Sequence, residues 1–153
     1  MVKGWEYKDK GFTLVEVLVV VAILGILVAI AVPNLLDAID RAKQRATVAE
    51  MRLWAISLQE YYAQFSNYPT PGGAPVQVDQ NLRDKLVPFT INTLDLDDGW
   101  KFRYWYESDL SASYTFRSCG KDGICGLGVT PSTWFNYSLD IIIADGIFIN
   151  APS

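Results

Sequence analysis

The chain has 153 residues, half of them apolar, a formal net charge of -4 and no histidine. That length suits one packed domain rather than two, and the acidic balance argues against a dedicated nucleic-acid binder, whose phosphate contacts need clustered Lys and Arg. Without histidine no Ser-His-Asp or Cys-His arrangement exists, and two cysteines are too few for a thiolate zinc site.

The first element is a basic leader. Residues 1–11 carry Lys3, Lys8 and Lys10 against Glu6 and Asp9 and end in Gly11. Residues 12–36 follow as an apolar run with one charge, Glu16, and with Pro33 near the far end. About 20 such residues span a bilayer as a helix. The run is too long for the core of a cleaved secretory signal, and no small-x-small site follows it. Residues 17–32 have no polar face, which speaks against a buried helix of a soluble core. A plain signal anchor, oriented by the three lysines, would leave Glu16 unexplained. A carboxylate at bilayer depth costs roughly 2.5–3.5 kcal/mol or more and is functional by default. The run holds no Lys or Arg to pair with it. Removal of residues 1–11 would create an α-amino group at Phe12, on the same chain or on a neighbour, able to serve as that partner.

The stretch Gly11-Phe12-Thr13-Leu14-Val15-Glu16 resembles the class III signal of type IV pilins and type II secretion pseudopilins. The resemblance implies that a prepilin peptidase cleaves after Gly11 and methylates Phe12. It also implies that Glu16 is required for assembly and that Gly25 and Pro33 weaken the helix.

Beyond Pro33, Leu35, Ile39, Ala42, Ala46, Ala49, Leu53 and Ile56 recur at steps of four and three. This spacing predicts an amphipathic helix with one apolar stripe, which a sheet must cover. Asp37, Asp40, Arg41, Lys43, Gln44, Arg45 and Glu50 form the other face, read as solvated or subunit-facing. Ser66-Asn67-Tyr68-Pro69 predicts the helix end near Phe65. From Phe12 that makes a rod of roughly 80 Å. An aromatic helix end followed by a Tyr-Pro turn is also similar to major pseudopilins.

In the C-terminal half, residues 70–75 predict a loop and 81–86 a short helix. Asp97-Asp98-Gly99 predicts a turn before a strand over 100–106, and a second strand covers 113–118 with Tyr114 and Phe116 on one face. Asp145-Gly146 between two isoleucine-rich runs predicts a terminal hairpin. Alternating aromatics favour core packing over a carbohydrate-binding role. In an exported protein, Cys119 and Cys125 read as a disulfide closing a small loop, with free thiols as the alternative. The segment 118–123 and the pair Asp140-Ile141 resemble the calcium-binding region of major pseudopilins. Asp122 and Asp140 would then be candidate carboxylate ligands for calcium, although a turn before Gly123 also explains Asp122. The sequence departs from that pattern in its cysteines and in Gly126-Leu127-Gly128.

The sequence therefore predicts an α+β protein. Residues 1–11 form a cleaved leader and 12–36 a transmembrane, filament-core helix. Residues 37–66 are its amphipathic half, and 67–153 a head with antiparallel strands. The resemblance implies a structural, non-enzymatic subunit of a type II secretion pseudopilus, with a type IV pilin forming a surface fibre as the alternative. Its implied partners are further copies in a helical filament, the prepilin peptidase, an inner-membrane assembly platform and minor pseudopilins. The implied location is the bacterial inner membrane, with the head in the periplasm.

Overall fold

The computed structural model describes residues 11–69, 74–87, 94–109, 113–126 and 136–151. Residues 1–10, expected as part of a leader, most of the expected loop over 70–75, and Leu127 and Gly128 lie outside these. The chain divides between Ala38 and Ile39 into two compact units. Helix α1 (Leu14–Phe65) contributes to both. The α+β architecture read from the sequence is borne out.

In the first unit α1 carries Gly25 and Pro33 within its length. Every residue from 11 to 36 is exposed. Fully burying one large aliphatic side chain is worth about 1.5–3 kcal/mol. Sixteen large aliphatic residues from Leu14 to Leu36 stand 45–81% exposed, an unmet driving force on the order of 10–30 kcal/mol that lipid or neighbouring helices can meet.

The second unit is built on residues 39–65 of α1. That helix ends as predicted: Ser66 has a positive φ of 55°, and its N–H donates to the Tyr62 carbonyl at 2.8 Å. Five antiparallel strands follow as a meander in the order β1-β2-β3-β4-β5. They are β1 (Val76–Gln77), β2 (Trp105–Ser108), β3 (Tyr114–Ser118), β4 (Ile141–Ala144) and β5 (Ile147–Asn150). Helix α2 (Gln80–Leu86) starts where Asp79 caps the Leu82 N–H at 2.8 Å. Asp145 and Gly146 both take positive φ, as the two-residue hairpin between β4 and β5 requires.

Alternation along the strands sends Tyr106, Tyr114, Phe116, Ile141 and Ile143 to one face, where they are fully buried. They pack with Met51, Trp54, Ala55 and Leu58 of α1. Trp54 stacks on Phe116 at 5.1 Å and donates its indole N–H to the Asp95 carbonyl at 2.9 Å.

Two expectations are corrected. The buried face of α1 is Asp40, Gln44, Thr47, Met51, Trp54, Ala55, Ser57 and Leu58, not the stripe from Leu35 to Ile56. Ala42, Ala46, Ala49 and Ile56 are exposed, and Leu53 alone of that stripe packs against the core. The head meets part of this more polar face with hydrogen bonds, while Gln44 Oε1 is buried without a partner among the described residues. Lys121 and Trp100 bond Asp40, and the Tyr104 hydroxyl donates to Glu50 at 2.8 Å. Ser57 and Thr47 donate to the Leu53 and Lys43 carbonyls one turn back. The strand predicted over 100–106 begins only at Trp105. Before it, Asp98 folds residues 98–102 into a turn that presses Gly99 against α1, where the Gly99 N–H donates to Thr47 Oγ1 at 2.9 Å.

Candidate assembly segment and head loop

The residues singled out at the N-terminus open helix α1. Thr13 and Glu16 form a reciprocal cap. Glu16 Oε2 accepts from the Thr13 amide at 2.9 Å and from its hydroxyl at 2.8 Å, while the Glu16 amide donates to Thr13 Oγ1 at 3.2 Å. A Thr-x-x-Glu box answers two otherwise orphaned donors at a helix start and places an acid at its positive end. Thr13 was not singled out from the sequence, although the Thr-x-x-Glu spacing signals it. Glu16 thus has a local hydrogen-bonding partner within the chain, and its charge stays unneutralised by that contact. Gly11 and Phe12 lie just before the helix, both exposed. Among the described residues nothing lies within 4 Å of where a Cβ on Gly25 would stand, so their packing does not require this glycine.

The cysteines meet as expected. Cys119 and Cys125 are disulfide-bonded with their Cα atoms 4.6 Å apart. The closed loop is held at several further points. Gly120 takes a positive φ of 66°, and a Cβ there would lie 2.7 Å from the Tyr137 carbonyl oxygen, so glycine is required. The Lys121 amide donates to that same oxygen at 2.7 Å. Lys121 Nζ meets Asp40 Oδ2 at 2.7 Å, tying the loop to α1. This hydrogen bond holds the Asp40 carboxyl below its ordinary range against the opposing effect of burial.

The two calcium candidates are placed differently. Asp122 is exposed and accepts the Ile124 N–H at 2.9 Å, as a turn residue before Gly123 does. Asp140 is buried, and its Oδ2 accepts the Gly126 N–H at 2.9 Å. The Arg117 guanidinium lies 3.8 Å from the same oxygen and donates to the Gly126 carbonyl. Burial pushes the Asp140 carboxyl up, while the Gly126 amide and the Arg117 charge pull it down. Arg117 escaped the sequence reading because only the β2–β3–β4 register brings it beside Asp140.

An open cleft of about 740 Å³ lies over the outer sheet face, lined by Trp105, Glu107, Thr115, Arg117 and the Cys125 end of the loop. These residues offer one carboxylate, one guanidinium and a hydroxyl, without an activated nucleophile among them.

Residues 7–32 match the family model described as the prokaryotic N-terminal methylation motif. Over 63 residues the chain is 46% identical to the type II secretion system core protein G of Vibrio cholerae serotype O1, covering 41% of this chain and 43% of that protein. It is 35% identical over 63 residues to the protein of the same name from Escherichia coli K12, with the same shares. The type IV major pilin protein PilA of Myxococcus xanthus is 34% identical over 67 residues, covering 44% of this chain and 30% of that protein. The chain thus spans less than half the length of the curated relatives it matches. No solved structure matches. The resemblance to pilins and pseudopilins is borne out, and it rests on the N-terminal half.

Proposed function

We propose that this chain is a structural subunit of a type II secretion pseudopilus, polymerising through residues 12–36 to drive protein export. One observation carries the reading: a methylation motif, an acidic residue at the helix start and a fully exposed apolar helix coincide in one segment. A prepilin peptidase would cut after Gly11 and methylate Phe12. The new Phe12 amine would neutralise Glu16 as copies leave the inner membrane and stack their helices. Until then Thr13 holds the Glu16 carboxylate at the helix start.

In the second unit, Ala42, Ala46, Ala49 and Ile56 form an exposed stripe of their own that would serve as a further packing surface. Small residues let helix backbones approach closely. The head would sit in the periplasm, and an inner-membrane platform and minor pseudopilins would complete the machine. The role is mechanical rather than enzymatic. The similarity to a major pilin favours a second reading, a surface fibre, but it covers a smaller share of that relative.

Deletion of the chain in its native host separates the two. Loss of secreted proteins with surface fibres intact supports the pseudopilus. Loss of fibres with secretion intact makes it a pilin.

A further inference from the structure

The calcium ion implied by the resemblance would need six to eight oxygens at 2.3–2.6 Å. Of the two candidate carboxylates, Asp140 is the buried one. Its Oδ2 already receives the Gly126 N–H, and the Arg117 guanidinium stands 3.8 Å away. A divalent ion on that oxygen would be pressed against a fixed positive charge. Arg117 also bonds the Gly126 carbonyl, so it joins both ends of the contact that an ion would otherwise bridge. Asp122 turns Oδ1 to its own loop, onto the Ile124 N–H. Between Arg117 and Gly126 lies the Cys119–Cys125 disulfide, closing the same stretch covalently.

We infer that Arg117 and the disulfide together fix this loop in place of a calcium ion. The head therefore folds independently of divalent cations and depends on an oxidised Cys119–Cys125 pair. The guanidinium supplies the positive charge that Asp140 needs, from a residue on β3 whose position is set by strand register. The disulfide supplies the loop closure. Lys121, bonded to Asp40, carries the stability of the loop to α1. This inference concerns the head alone and does not rest on the secretion role.

The full chain in detergent micelles tests it, with near-ultraviolet circular dichroism following the tryptophans through thermal unfolding. Melting curves in EGTA and in millimolar calcium should coincide. A phosphine reductant should lower the midpoint by about 10 °C, the scale set by a disulfide closing a short loop in a head of this size. Arg117→Gln should lower the midpoint as well, without restoration by calcium. A midpoint that rises with calcium in the unmodified chain, or that ignores the reductant, overturns the inference. If Arg117→Gln does not fold, the two comparisons on the unmodified chain still decide. None of these outcomes bears on filament formation, so failure here stays distinct from failure of the secretion role.

Discussion

Asp98 is 2% exposed and accepts three hydrogen bonds. Its Oδ1 takes the Trp100 and Phe102 amides, each at 2.9 Å, and its Oδ2 takes the Ser118 hydroxyl at 2.7 Å. The side chain thereby holds the turn before β2 to the end of β3, one residue from the disulfide. Asp98→Ala removes the acceptor for all three donors. The hydroxyl can turn elsewhere, but the two amides are fixed by the backbone. Hydrogen bonds to a charged group contribute about 1.5–3 kcal/mol each, and the effects are not additive within one network. Relief of carboxylate desolvation offsets part of the loss, so the net cost should be roughly 3–5 kcal/mol. Asp98→Asn keeps Oδ1 for both amides and turns an N–H₂ toward Ser118, which can accept. It should cost about 1 kcal/mol. Urea unfolding of the full chain in detergent, read by tryptophan fluorescence, measures both. An alanine variant within about 0.5 kcal/mol of the parent, the range of an ordinary surface change, would refute the reasoning, as would an asparagine variant as damaged as the alanine one.

Other parts of the head give further tests by the same assay. Trp54→Ala empties the site stacked on Phe116 and should cost about 3–5 kcal/mol. At Gly99 a Cβ would stand 2.6 Å from the Lys43 carbonyl oxygen of α1, so Gly99→Ala should cost roughly 1–3 kcal/mol. Ala46→Glu, on the exposed side of α1, should leave head stability within about 0.5 kcal/mol while blocking filament assembly, seen by electron microscopy. Burial holds the Glu50 carboxyl above its ordinary 4.5, against the pull of the Tyr104 hydroxyl. The folded state then binds that proton more tightly than the unfolded chain, so this contribution is full below 4.5 and is lost as pH rises through the folded value. Glu50→Gln should flatten that decline in a pH series of unfolding midpoints. Asp40 behaves oppositely. Its contribution is present above 3.8 and is lost as pH falls through its lowered folded value, and Lys121→Ala should weaken that acid-side loss.

The N-terminal element was legible because its signals are local. An apolar run, a lone acid and the Ser66–Pro69 stop lie within the segment they define, and α1 indeed ends at Phe65. The Asp145-Gly146 hairpin was legible for the same reason, since two positive-φ residues suit few other roles. The face of α1 that meets the head was not. Hydrophobic spacing pointed to the alanine stripe, but the head brings Lys121, Trp100 and Tyr104 to satisfy Asp40 and Glu50. Those partners lie 54 to 81 residues away in sequence. An apolar stripe predicts that something covers it without saying whether the cover belongs to the same chain. Arg117 beside Asp140 was hidden likewise, because strand register creates the pair. The disulfide needed only compartment and spacing.

The most direct test of the assembly account is the Glu16→Ala chain expressed in the native host, with filaments counted by electron microscopy after intact-mass analysis has confirmed cleavage at Gly11. The account predicts a processed, membrane-held protein and no filaments. Filaments of normal number and length from that processed variant would contradict it.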